Sequence, residues 1–114
     1  MGNRVYPKLP ILIVDDEENF LLSAELALNS NGINNLVTEN DSTKVMDLLK
    51  SSEYSLIILD INMPNIKGTE LLPLIVERYP DIPVIIITAI NDVANAVSCI
   101  KAGAFNYILK PVDS

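Results

Sequence analysis

At 114 residues the chain has room for one domain with a single sizeable core. Its net charge of −7 argues against a direct grip on nucleic-acid phosphates, which needs a basic face. The absence of histidine and the single cysteine, Cys99, exclude Ser-His-Asp and Cys-His catalysis, histidine metal ligands, a phosphohistidine of its own and any internal disulfide. Although 49% of the residues are hydrophobic, no apolar run approaches the ~20 residues of a membrane span. The residues before Ile11 include Pro7 and Pro10 and form no cleavable leader, so the expectation is a cytoplasmic protein without membrane contact.

Five apolar runs follow one another: Ile11–Val14, Leu36–Thr38, Leu56–Leu59, Val84–Ile87 and Tyr107–Leu109, starting about 20 to 28 residues apart. That spacing is the rhythm of repeated βα units around a parallel sheet. Between the first two, Phe20, Leu21, Ala24, Ala27 and Leu28 make a stripe at helical spacing over 19–30, and Asn31-Gly32 supplies its stop. The second run is more polar, as suits an edge strand. Asp41 or Ser42 then caps a helix burying Val45, Leu48 and Leu49. The third run ends abruptly on Asp60, followed by the turn residues Asn62, Pro64, Asn65 and Gly68. Gly68 or Thr69 opens a third helix carrying Leu71, Leu72, Ile75 and Tyr79; Pro73 inside it should kink it. A fourth helix runs over about 92–102 with Val93, Val97 and Ile100 on one face, Cys99 half-buried and Gly103 at its end. No fifth helix follows the last run, so the sequence reads as one domain, 1–114, stopping before a final helix and before any output domain. An uncovered apolar strip is expected near Val84, Ile86 and Ile108, leaving the chain less stable than a version with a fifth helix and prone to self-association.

In a right-handed parallel sheet all strand C-termini share one edge, where open α/β sheets place their ligand sites. Asp15 and Asp16 follow the first strand, Asp60 the third, Thr88 the fourth and Lys110 the fifth. Each alone has a plainer reading: an acidic first helical turn over Asp15–Glu18, a strand-end hydroxyl, a solvated lysine. Together they suggest phosphoryl transfer to a carboxylate. Three clustered acids repel unless a cation compensates, and magnesium, a hard ion content with one or two carboxylates, water and a phosphate oxygen, suits them. Asp60 can act as nucleophile and form an acyl phosphate. Lys110 would neutralise the transferring group, Thr88 would hydrogen-bond a phosphoryl oxygen, and Ala89 would leave room and offer its N–H.

These residues give the sequence its resemblance to the receiver domains of two-component response regulators. They are the acidic pair in Ile13-Val14-Asp15-Asp16, Asp60 in Leu59-Asp60-Ile61-Asn62-Met63-Pro64 with Gly68 downstream, Thr88-Ala89, and Tyr107 three residues before Lys110-Pro111. The stretch from Ala96 through Ala104 to Pro111 looks most like the nitrogen-regulatory class, whose receivers often precede an ATPase that activates transcription. The resemblance implies a doubly wound, flavodoxin-like sheet of order 2-1-3-4-5, with Asp60 as phosphoacceptor. It makes Asp16 a direct Mg2+ ligand, Asp15 a ligand through water and the Asn62 carbonyl the third protein ligand. Thr88 and Tyr107 become a switch pair, though Tyr107 also reads as an ordinary core aromatic. A cis Lys110-Pro111 bond is implied as well, against a plain loop proline. The implied partners are a sensor histidine kinase as phosphodonor, an output domain beyond residue 114 and, through the usual fifth helix, a second copy of the chain. The implied chemistry is confined to the domain's own phosphorylation and dephosphorylation. Two other readings share part of this logic. A Mg2+-dependent aspartyl-phosphate phosphohydrolase usually has a second acid where Asn62 stands, and a non-phosphorylated interaction module commonly loses the acids or the lysine present here.

Overall fold

A computed structural model describes residues 4–110. Five strands, β1 (Ile11–Val14), β2 (Leu36–Glu39), β3 (Leu56–Asp60), β4 (Val84–Thr88) and β5 (Asn106–Leu109), form one sheet of order β2-β1-β3-β4-β5. Every neighbouring pair is parallel. The described residues hold four α-helices: α1 (Glu18–Ser30), α2 (Val45–Ser51), α3 (Gly68–Arg78) and α4 (Val93–Lys101). None is long and apolar enough to cross a membrane. The doubly wound sheet expected from the sequence is therefore present.

Local chemistry explains most of the boundaries. Gly32, at φ +83°, closes α1 in a left-handed conformation that favours glycine. Asp41 accepts the Thr43 N–H at 3.0 Å and so caps a 3-10 turn, Ser42–Lys44, that leads into α2. α3 runs through Pro73 as one element. Pro73 and Thr69, four residues earlier, both face solvent, so water can take the place of the backbone bond that proline cannot make.

The layers are unequal. The larger core lies between the sheet and α2, α3 and α4, and includes Leu12, Val14, Ile57, Leu59, Leu71, Leu72, Ile75, Val84 and Ile86. On the other face a smaller cluster packs α1 through Leu21, Ala24 and Leu28 against Ile11, Ile13, Leu56 and Ile58. Beside it runs an apolar groove of about 440 Å³ lined by Ile13, Phe20, Ala24, Leu28, Ile58, Ile87 and Ile108.

Two expectations are corrected here. Val84 and Ile86 are fully buried; along the groove Ile108 is exposed and Ile58 partly so, while Ile87 lines its floor and is itself buried. Alternate residues of a strand face opposite ways, so Val84 and Ile86 turn towards α3 and α4 while Ile87 turns towards α1. Helix α4 is also rotated from the expected face. It buries Ala96 and Cys99 and leaves Val97 and Ile100 exposed. Its small side chains go inward, where α4 packs against β4 and α3. The Lys110-Pro111 peptide lies outside the described residues.

Candidate functional site

Parallel pairing in register carries every strand's carboxyl end to one edge. Val14 lies opposite Leu59, Asp60 opposite Ile87, and Thr88 opposite Leu109. Asp15, Asp60, Thr88 and Lys110 must then converge. Asp15, Asp60 and Thr88 are buried, while Asp16 is exposed at the rim. One carboxylate oxygen from each of Asp15, Asp16 and Asp60 lies within 4.8 Å of the others, a grouping sized for one cation. The Lys110 Nζ reaches in from β5, 3.0 Å from Asp15 Oδ2 and 3.6 Å from Asp60 Oδ2, and also pairs with Glu17. It stands 5.1 Å above the Phe20 ring, a second attraction for its charge. Its own N–H donates to the Thr88 carbonyl at 2.8 Å, which fixes the start of its side chain against β4.

The loop after β3 is anchored from several sides. The Asn62 N–H donates to Asp60 Oδ1 at 3.2 Å, orienting that carboxylate. Ser42, buried in the 3-10 turn before α2, donates to the Pro64 carbonyl at 3.0 Å and accepts the Ile66 N–H at 3.1 Å. Gly68 packs directly behind the acid: a Cβ there would sit 2.1 Å from the Asp60 carbonyl oxygen and 2.7 Å from Ile61 Cα. Only glycine allows that approach. The Asn62 side-chain amide donates outward to Asp92, in the 3-10 turn Ile90–Asp92 before α4.

Burial dominates the electrostatics. It pushes the Asp60 carboxyl up to about 6, helped by the charge of Asp15, while the Asn62 N–H and Lys110 act the other way. Asp15 is likewise raised, mainly by burial, against its hydrogen bonds from Glu17 and Lys110. Burial alone would lower the Lys110 ammonium, but its bonds to Glu17 and Asp15 and the charge of Asp60 hold it above its ordinary value. One buried oxygen has acceptor capacity to spare. Asp15 Oδ2 is buried and accepts no hydrogen bond, the nearby lysine being misaligned for one. A buried anionic oxygen that accepts no hydrogen bond, beside two further carboxylates, fits a hard, oxygen-seeking divalent cation.

Of the residues singled out in the sequence, Asp15, Asp16, Asp60 and Lys110 are brought together. Thr88 lies at the same edge, its hydroxyl 3.2 Å from the Ala89 carbonyl, and Asn62 borders the acids through its backbone. Tyr107 is half-buried and packed against the main core, next to Ile86 in the sheet. Glu17, Phe20, Ser42 and Asp92 were missed as contributors to the site. Only Glu17 carried a signal, its acidity next to the Asp15-Asp16 pair.

Comparisons with known proteins bear on the family and the fold. Over 101 residues, 89% of this chain, the sequence is 39% identical to the DNA-binding transcriptional regulator NtrC of Klebsiella pneumoniae. Over 109 residues, 94% of this chain, it is 39% identical to the putative response regulator NtrX-like protein of Rickettsia felis. The chain spans 21% and 23% of the length of those two regulators. Among solved structures, a response regulator receiver domain protein from Clostridium thermocellum superposes with a TM-score of 0.81 at 33% identity, covering 92% of this chain and 84% of the other. Residues 11–114 match the response regulator receiver domain family, and the chain belongs to that family.

Proposed function

We propose that this domain is a phosphorylation-activated switch that accepts a phosphoryl group onto Asp60 from the phosphohistidine of a sensor kinase. It would govern an output segment outside residues 1–114, transcriptional as the NtrC relative's name suggests. The observation that carries the reading is a buried carboxylate flanked by two further acids with an ammonium 3.6 Å away, all at the carboxyl edge of the sheet. An ionised Asp60 oxygen attacks phosphorus, the P–N bond to the donor imidazole breaks, and an acyl phosphate forms. The departing imidazole keeps the electron pair and takes a proton from solvent. With its carboxyl near 6, Asp60 is largely ionised at neutral pH. Lys110 would neutralise the arriving charge, and the Thr88 hydroxyl would donate to a phosphoryl oxygen. Ala89 leaves space beside it.

Asp15, Asp16 and Asp60, with the Asn62 carbonyl, would hold Mg2+, a reading supported by the grouping of the three acids and by the buried Asp15 oxygen that accepts no hydrogen bond. Bound there, the ion would supply charge neutralisation between the acids and the incoming phosphoryl group. Thr88 and Tyr107 would transmit the change to the surface of α4 and β5. The chemistry is limited to the domain's own phosphorylation and dephosphorylation. A phosphohydrolase reading fits less well, because Asn62, two residues after Asp60, is an amide already bonded to Asp92. A cytoplasmic location follows from the kinase as donor. The test is intact mass after exposure to acetyl phosphate and magnesium. One phosphoryl group is expected on wild type and none on Asp60→Asn; equal labelling of both, or efficient labelling in excess chelator, refutes the mechanism.

A further inference from the structure

Glu17 immediately precedes α1 yet makes no side-chain cap with it. Its backbone is tied down at both ends. Its N–H donates to Asp15 Oδ1 at 2.9 Å and its carbonyl accepts the Leu21 N–H at 3.1 Å. The side chain is thereby free to reach across the mouth of the pocket and pair with the Lys110 Nζ, 93 residues away in sequence. The lysine's hydrogen bonds go to Glu17 and Asp15, and Asp60 is left 3.6 Å from the nitrogen, outside hydrogen-bonding range.

An ammonium has three donors and settles where its anionic neighbours balance. Glu17 differs from the other two neighbours in one respect. Asp15 and Asp60 belong to the acidic grouping that would face a cation, and Glu17 does not. With Asp15 and Asp60 neutralised by a cation, their pull on Lys110 weakens and that of Glu17 does not. Glu17 then becomes the main competitor for Lys110 when a phosphoryl group arrives on Asp60.

We propose that Glu17 is a positioning residue that holds Lys110 towards the pocket mouth, so that a phosphoryl group on Asp60 must win the lysine from it. The inference rests on Asp60 being the phosphoacceptor. Glu17 thus sets how tightly the pocket grips phosphate, without touching phosphate itself. Because the Glu17 side chain is 63% exposed, solvent screens the pair and the effect is bounded. Removing its charge should tighten the grip by roughly three- to tenfold.

The experiment compares wild type, Glu17→Gln and Glu18→Gln by amide-shift titration with beryllofluoride in saturating magnesium at fixed ionic strength. Glu18 lies in the same first turn and is exposed, but its carboxylate pairs with Asn40 and does not touch Lys110. It therefore reports the effect of lost charge alone. Glu17→Gln is expected to bind beryllofluoride about three- to tenfold more tightly, and Glu18→Gln to change by less than about twofold. The Lys110 15Nζ resonance of the metal-free protein, independent of phosphate binding, should move in Glu17→Gln and stay put in Glu18→Gln. Equal tightening in both variants, or unchanged or weaker binding in Glu17→Gln, overturns the role of Glu17 even if the lysine resonance moves. A wild type that binds no beryllofluoride overturns the phosphoacceptor reading itself, and this inference with it.

Discussion

Replacing Asp60 by asparagine should make the metal-free domain more stable at neutral pH. The folded Asp60 carboxyl sits at about 6, raised from 3.8 chiefly by burial and then by Asp15. A carboxyl raised on folding binds its proton more tightly in the native state. The stability that a protonated Asp60 contributes is therefore complete below about pH 4, falls as pH rises through about 6, and is absent above that. A shift of about two pKa units corresponds to about 3 kcal/mol lost by pH 7.5, a large share of the ~5–15 kcal/mol that holds a small domain together. Asparagine removes the charge but keeps an oxygen to accept the Asn62 N–H. The lost attraction to Lys110 is small, because that nitrogen bonds to Asp15 and Glu17. Urea unfolding in chelator at pH 4.5 and 7.5 measures this. The variant should lose most of the wild-type pH dependence, keeping a shallower slope from Asp15, which is also raised. Magnesium should reverse the order by stabilising wild type more than the variant. If wild type in chelator is as stable as Asp60→Asn at pH 7.5, or if magnesium stabilises both equally, the three acids do not form one site.

Thr88→Ala should still take phosphate on Asp60 but transmit it poorly; amide exchange over residues 92–107, with and without beryllofluoride, should change less than in wild type, and an equal response refutes the coupling. Gly68→Ala should cost several kcal/mol and labelling of Asp60, since its methyl must displace the backbone behind that residue; a melting temperature within a few degrees of wild type would contradict the 2.1 Å approach. With Ile108 more than half exposed in an apolar groove, the isolated 114-residue chain should self-associate, and Ile108→Asp should reduce this. Concentration-independent, monomeric sedimentation of the wild-type chain would refute that reasoning.

The site's acids and lysine were legible because each stands where an apolar run stops, and a parallel sheet aligns all such stops. Asp60 after Leu56–Leu59 and Lys110 after Tyr107–Leu109 needed no side-chain information. The faces were less legible. Val84 to Ile87 is apolar throughout, so nothing in the pattern says which residues turn towards α1. In α4, Val93, Val97 and Ile100 compete with Ala96 and Cys99 for the inward stripe, and close packing against β4 and α3 favours the smaller pair. Ser42 holds a loop more than twenty residues away, and Asp92 meets Asn62 across thirty. Contacts of that range leave no local mark in a single sequence.

The pairing of Lys110 with Asp15 and Glu17 joins residues 95 and 93 positions apart. The acids come from β1 and β3, while the charge that balances them arrives with the last strand. A chain that has folded β1 to β4 alone carries Asp60 and its repelling neighbours without that ammonium. Long-range closures of this kind are late and costly in entropy. The pocket is therefore complete only once β5 is in place beside β4.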